Sequence, residues 1–392
     1  MTRIRALPTT MTNSHRTALE LVRSHLKCSF LERDDVIDGL LSALVAKQHV
    51  LLLGPPGTAK SLLVNALTNS IDGAACFSWL LTKFSTPEEI FGPISLAALQ
   101  QDRVSRITTG KVPEAHVAFL DEIFKSNSAI LNALLTLVNE RVFYNDGKAV
   151  PCPLVSVVGA SNELPEGVEL EALFDRFLVR YWVPYLTEPR NIRALFGGLA
   201  NTNNATMTLA ELETCQAEAS KVNVPDSIID AVIGIKLKTE EQGFRSSDRR
   251  WRQLIDLLKA RAYLEGDDVV GDDHLEILSD ALWREPKDRP AIAALIGTVA
   301  NPLNVRATEI LDAAKESVGK LGAVDAKDVT GKAEWLKNAS LVESRLGDME
   351  AELSQLVQQS GKKSARRAKE VLGSLGNMKT DITKRVATLY RL

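Results

Sequence analysis

Between His49 and Asn69 the chain passes through three consecutive segments that leave few folds open. His49-Val-Leu-Leu-Leu53 is a short unbroken apolar run, the pattern of a strand buried on both faces of a parallel sheet. Gly54-Pro55-Pro56-Gly57-Thr58-Ala59-Lys60-Ser61 follows as a turn, and the periodicity predicts a helix from Lys60 to about Asn69. A strand that enters such a turn and leaves it as a helix is built to cradle phosphate. Gly54 and Gly57 let backbone N–H groups curl around an anion, the helix N-terminus faces it, and Lys60 brings a cation to the β- and γ-phosphates. Ser61 offers a hydroxyl to Mg²⁺. Ala59 stands where G-x-x-x-x-G-K-[ST] has its second glycine, so this loop has less freedom to curl. The expected nucleotide-contacting stretch runs on to Leu62.

Three more apolar runs share this character. Val117-Ala-Phe-Leu120 ends in Asp121-Glu122, Leu154–Ala160 ends in Ser161-Asn162, and Val179–Val183 reads as a fourth strand. A helix is expected over Ser128–Glu140, with Ile130, Leu131, Leu134, Leu135 and Val138 at helical spacing. Strands alternating with helices imply an α/β domain with a largely parallel sheet, whose ligands gather at the carboxyl ends of the strands. Asp121 is then placed to hold the Mg²⁺ shell and Glu122 to polarise an attacking water. An acidic pair after an apolar run is common by itself and acquires meaning from the phosphate loop. Asn162 can bond both the γ-phosphate and that water, or be an ordinary turn or cap residue. Arg176, in Asp175-Arg176-Phe177, is expected to be exposed at a strand edge. It is poorly placed for its own nucleotide and able to reach one on a neighbouring copy; the plain alternative is a surface salt bridge.

Around this core, residues 15–47 read as two helices. Leu19, Leu21, Val22 and Leu26 are expected on one face of the first, and Asp34 or Asp35 as cap of the second, with Val36, Ile37, Leu40, Leu41 and Leu44 inside. From Thr187 the strand signal stops, and helices are expected near 188–196, 208–221, 226–239, 248–264 and 272–283. Residues 286–330 are weakly patterned. Two heptad-like seams close the chain, Val342-Leu346-Met349-Leu353-Leu356 and Val371-Leu375-Met378-Ile382-Val386-Leu389, joined at Ser360-Gly361. The expected division is a flexible leader (1–14), an α/β core (15–186), a helical lid (187–285), a linker (286–330) and a helical hairpin or coiled-coil arm (331–392).

Composition sets outer bounds. With 47 basic and 50 acidic residues the net charge is −3, unlike the basic excess of a dedicated nucleic-acid binder. The four scattered cysteines read as reduced core thiols of a cytoplasmic protein, and the five histidines have no metal-ligand spacing. No apolar run has the length of a membrane span. Met1–Met11 has arginines but no apolar segment after them, so it is not a secretory signal, and translation could start at either methionine.

In order, G-P-P-G-T-A-K-S, F-L-D-E-I, L-L-T-L-V-N-E-R, A-S-N-E-L-P and L-F-D-R-F resemble the MoxR group of AAA+ ATPases over roughly residues 15–285. Ser85–Pro93 and Thr109–Glu114 resemble its RavA-type (regulatory ATPase variant) subfamily. The resemblance implies an AAA+ P-loop domain with a parallel sheet, an all-helical lid and ATP with Mg²⁺ as the bound species. It implies that Asn162 is sensor 1, Arg176 a finger acting in trans, and Arg249 sensor 2 at the γ-phosphate of its own copy, with Arg250 the alternative. The segment from about Phe91 to Thr109 matches an insertion facing a ring pore, and Tyr144-Asn-Asp-Gly147 the turn of a second hairpin. Such proteins are similar to hexameric ATPases that remodel protein clients, often with a von Willebrand factor A domain protein as partner. Two other readings share these residues. One is a nucleic-acid motor, disfavoured by the mixed charge of Gln100–Arg106. The other is a nucleotide-switched scaffold working through the C-terminal helices. The chain departs from the RavA pattern after residue 285, where no β-rich module follows.

Overall fold

A computed structural model describes residues 14–197, 205–300, 302–322, 329–359 and 366–390. The leader and the Ser360-Gly361 junction lie outside the described residues. The chain forms two compact units: one comprises residues up to 225 with 244–270 and 277–289, the other 226–243, 271–276 and 290–392.

The first unit is built on five parallel strands: β1 (His49–Leu53), β2 (Cys76–Leu80), β3 (Val117–Asp121), β4 (Ser156–Ser161) and β5 (Phe177–Trp182), in the order β2-β3-β4-β1-β5. Strands β1 and β4 are buried along their whole length, as their apolar runs require. The third and fourth expected strands are displaced by two residues at their starts, and β2 is an additional strand. Its Cys-Phe-Ser-Trp-Leu sequence buries Phe77 alone, because an edge strand need not be apolar on both faces.

Helices α1 (Ser14–Ser29), α2 (Asp34–Val45), α3 (Lys60–Asn69), α4 (Ser128–Glu140), α5 (Val168–Phe174), α6 (Pro189–Gly197), α7 (Leu209–Ala219) and α8 (Asp248–Leu264) belong to this unit. Leu19, Val22 and Leu26 of α1 are buried, but Leu21 is 58% exposed. It lies about 200° around the helix from Leu19, on the opposite face. Neither aspartate caps α2: Arg33 holds the cap position without a side-chain bond, and Asp34 and Asp35 occupy the first turn, where the helix dipole favours them. Asp38 joins three helices, pairing with Arg23 (2.7 Å) and Lys27 (2.8 Å) of α1 and Arg261 (3.5 Å) of α8. Burial would raise its carboxyl, but these cations bring it below the usual range.

His49 opens β1 fully enclosed. Its Nδ1 accepts from Val157 N–H (2.9 Å), which leaves Nε2 to donate to the Val138 carbonyl (3.1 Å), so the neutral ring is the one that fits. Burial, with Arg141 nearby, lowers its pKa from 6.5 to about 4. The unfolded chain therefore takes up the proton first as pH falls. Stability should be complete above pH 6.5 and decline down to about 4, with about 2 kcal/mol lost by pH 5. Urea midpoints at pH 7.5 and 5.0 test this. The same pH slope in His49→Gln as in the parent would exclude His49 as its source.

Strand content does not end at the sheet: Met207–Thr208 pairs with Ile71–Asp72, and Val142–Asn145 pairs with Lys148–Pro151 around the expected Asp146-Gly147 turn. The 272–283 helix is a 3₁₀ stretch, Asp272–Leu278, followed by the short helix Ser279–Leu282. Cys152 and Cys215 are buried, but Cys28 and Cys76 are exposed, so only half of the thiols are in the core. Among the described residues no helix is long and apolar enough to cross a membrane.

In the second unit, helices Asp226–Glu241 and Arg289–Ala300 accompany a bundle of Pro302–Gly319, Val329–Gln359 and Arg366–Tyr390. The two seam helices are present, and a third from the weakly patterned 286–330 segment packs with them through Ala307, Ile310 and Ala314. The first seam ends on Val357 rather than Leu356, since a straight helix drifts from a strict seven-residue repeat. The Leu389 side chain lies outside the described residues.

Candidate nucleotide site

The carboxyl ends of β1, β3 and β4 converge. Leu53 lies opposite Ser161, and Gly54 N–H donates to the Ser161 carbonyl (3.1 Å), so the loop starts beside Asn162. Gly54 adopts φ +145, and a Cβ there would meet the Val183 carbonyl oxygen at 2.3 Å; no other residue fits. Ala59, where glycine is usual, takes the left-handed conformation at φ 65. The turn thus keeps the shape that the pattern demands, with strain of about 1 kcal/mol. Pro55, Pro56 and Thr58 shape the rim, the Thr58 hydroxyl donating to the Pro55 carbonyl (3.0 Å).

Lys60 opens α3, almost fully buried, with Nζ donating to the carbonyls of Gly54 (2.6 Å) and Pro55 (2.9 Å). Burial pushes its pKa down while Asp121 and Glu122 pull it up. Ser61 and Leu62, on the same turn of α3, are exposed.

Glu122 follows β3 in the left-handed region (φ 53). A non-glycine residue there stores about 1–3 kcal/mol and is typical of functional positions. The twist aims its carboxylate at β4: Oε1 accepts from Asn162 Nδ2 (2.8 Å) and Oε2 pairs with Lys125 Nζ (3.3 Å). The neighbouring Asp121 accepts from Glu122 N–H (3.0 Å). The residues predicted as lysine, metal ligand, base and sensor therefore share one edge of the sheet. Lys125 is an addition that no spacing rule would have found.

Beside the loop is a cavity of about 440 Å³ with a mainly apolar lining, including Phe30, Gly57, Leu62, Tyr185, Ile192 and Leu195. These residues come from separated stretches and gave no sequence motif. Two residues of the α1–α2 connection hold its walls together. The Glu32 carboxylate accepts from Thr187 N–H (2.9 Å), Thr187 Oγ1 (3.1 Å), Glu188 N–H (3.0 Å) and Asn191 Nδ2 (3.0 Å). These bonds lower its pKa to about 2 and fix the entry of α6. Arg33 donates to the Pro184 carbonyl. The cavity suits a flat heteroaromatic base beside the phosphate loop, and the hydroxyl and carboxylate of Ser61 and Asp121 are oxygen donors of the kind Mg²⁺ takes.

Arg176 and Arg249 are elsewhere. Strand β5 runs parallel to β1 with Phe177 near His49 and Trp182 opposite Leu53. Arg176 therefore lies at the amino edge, a strand length of roughly 16 Å from the loop. It is half-buried rather than exposed, its Nε enclosed without a hydrogen-bond partner. Arg249 joins it there, pairing with Asp175 (2.7 Å). Arg250, 2% exposed, donates to the carbonyls of Phe177 (2.9 and 3.1 Å) and Leu178 (2.9 Å). Its donors are committed inside the protein, so of the two arginines Arg249 is the one with a half-exposed guanidinium.

Known proteins resemble this chain in sequence and in fold. Residues 17–221 match the family model described as the MoxR domain in MoxR-vWA-beta-propeller ternary systems, and residues 227–296 match an AAA lid domain. An uncharacterised protein of Methanocaldococcus jannaschii is 39% identical over 308 residues, covering 77% of this chain and 82% of that one. A second from the same organism is 37% identical over 79% and 82%. Chaperone MoxR1 of Mycobacterium tuberculosis is 28% identical over 67% of this chain and 74% of its own. The crystal structure of a candidate ATPase from Cytophaga hutchinsonii superposes with a TM-score of 0.59 at 19% identity, over 73% of this chain and 94% of that one, a likeness of fold. With the family model matching more than half its length, and the sheet, phosphate loop and lid in place, the chain belongs to the MoxR family of AAA+ ATPases.

Proposed function

We propose that the protein hydrolyses ATP as a ring of identical copies, each site completed by Arg176 and Arg249 of the next, and that the ring remodels protein targets. The observation carrying this reading is the division of the charged residues between the two edges of the sheet. Lys60, Asp121, Glu122 and Asn162 surround the phosphate loop, whereas Arg176 and Arg249 stand a strand length away, farther than an arginine side chain spans. In a head-to-tail ring the amino edge of one copy meets the loop of the next, and a hexamer is the assembly that the resemblance implies.

Within one copy, the cavity beside Gly57 and Leu62 takes the base, and the loop N–H groups with Lys60 take the phosphates. Ser61 and Asp121 would hold Mg²⁺, whose charge would offset that of the phosphate oxygens. Glu122 accepts a proton from the attacking water, and Asn162 orients both that water and the carboxylate. The description of the matching family model supports a von Willebrand factor A domain protein as partner, and the likeness to a MoxR chaperone supports a protein client. The RavA-like placement rests on Ser85–Pro93 and Thr109–Glu114 alone.

Mixing Lys60→Ala with Arg176→Ala subunits tests the shared site. Each variant alone should be inactive. In an equal mixture about a quarter of interfaces join an intact loop to an intact arginine, and ATPase activity should return in that proportion. Mixed assemblies that stay as inactive as either parent would refute the reading.

A further inference from the structure

We propose that Asp175 and Arg250 are positioning residues for Arg176, through which the first turn of α8 governs how that arginine is presented to the neighbouring copy. This rests on the reading that Arg176 serves a neighbour's nucleotide.

Both residues flanking Arg176 are fastened to the same turn. On one side, the Phe177 carbonyl accepts two bonds from the Arg250 guanidinium and the Leu178 carbonyl a third. On the other, Asp175 takes Arg249 at 2.7 Å, Arg250 at 3.5 Å and the Ser247 hydroxyl at 3.4 Å. Ser247 caps α8 by accepting from Arg250 N–H (3.3 Å), so every anchor lies within residues 247–250. A planar guanidinium holds the two successive carbonyls through three bonds in one rigid fork, whereas an ammonium on a flexible stem is a point donor that fixes no such orientation. Burial at this point pushes the Arg250 pKa down to about 10, with Asp175 opposing the fall, so withdrawing the group from its partners would leave a buried cation unpaired. The connection is therefore stiff: when α8 tilts, the start of β5 must follow.

The same arrangement frees Arg176. Asp175 is its nearest carboxylate in sequence, yet both oxygens are occupied by Arg249 and Arg250. Arg176 has no ion pair among the described residues, and its Nε is buried without a partner. Its stem is thus held by packing while its charge is left available for an incoming phosphate. The first turn of α8 and the arginine proposed to act across the interface become one mechanical element.

The test compares Arg250→Lys, Asp175→Asn and Arg176→Ala, singly and with each positioning variant combined with Arg176→Ala, in the assembled full-length protein. The readouts are steady-state ATPase activity and nucleotide Kd with a fluorescent ATP analogue. Misplacing a catalytic group by about 1 Å costs roughly 10² in rate, so kcat of Arg250→Lys should fall to that extent with Kd within twofold of the parent. Each double variant should be no slower than Arg176→Ala alone, because positioning a missing group has no value. Independent, multiplying losses would overturn the proposal, as would a loss confined to Kd. Should Arg250→Lys fail to fold, the milder Asp175→Asn variant decides alone by the same criteria. If Arg176→Ala itself hydrolyses ATP at the parental rate, it is the shared-site reading that fails.

Discussion

Arg176→Ala should lower kcat by about 10³–10⁵, the range seen when an arginine that neutralises transferring phosphate is removed, while each subunit still binds nucleotide. The expectation follows from register. Phe177 lies near His49 at the amino end of β1, so Arg176 is out of contact with Lys60 and the phosphate loop of its own chain. Removing it leaves the loop, the base cavity and the Glu122–Asn162 pair intact. Arg176→Lys should recover little, because an ammonium lacks the fork that grips a phosphate through two bonds. Stability should change by about 1 kcal/mol or less, since the side chain is only half-buried and bonds no partner that truncation would strand. Single-turnover hydrolysis with pre-bound ATP separates the cases. A Kd raised tenfold or more would move Arg176 into its own subunit's binding site and contradict the register argument.

Much of the carboxyl edge was legible in the sequence, and the reason is physical. A strand enclosed on both faces must be apolar throughout, so β1, β3 and β4 announce themselves, and the polar residue that ends each of them marks the ligand edge. Gly54 is legible because the approach of Val183 tolerates no side chain. What escaped lacks those constraints. The edge strand β2 buries one residue in five and looks like a loop. The base cavity collects Phe30, Tyr185 and Ile192 from distant stretches, and the Glu32 clamp that shapes it is a capping interaction between residues far apart in sequence. Helix Pro302–Gly319 alternates Ala307 and Ala314 with Ile310 and Leu311 at its contact face, and the two alanines weaken its hydrophobic signal. The position of Arg249 was beyond any motif. Its place beside Arg176 depends on the Asp175 pair, and its distance from the loop on how β5 aligns with β1.

Glu122→Gln is the second large effect, an expected fall in kcat of about 10²–10⁴ from loss of the general base, with ATP retained. Glutamine keeps the size of the side chain and can still accept from Asn162 Nδ2. It cannot take a proton from water, and its amide meets Lys125 Nζ donor to donor where a carboxylate made an ion pair. Nucleotide binding, carried by the loop and Lys60, should stay within a few-fold of the parent. Hydrolysis at the parental rate would exclude Glu122 as the base. A companion substitution probes the backbone. Glu122→Gly should be equally inactive, but glycine occupies φ 53 without the strain that a β-carbon imposes there. It should therefore melt above the parent, by an amount corresponding to about 1 kcal/mol. An inactive Glu122→Gly that melts above the parent would mean that the chain holds this carboxylate at the carboxyl edge of the sheet against its own backbone preference. Equal melting points would mean that the left-handed turn stores no strain, and that the Asn162 and Lys125 contacts alone set the direction of the base.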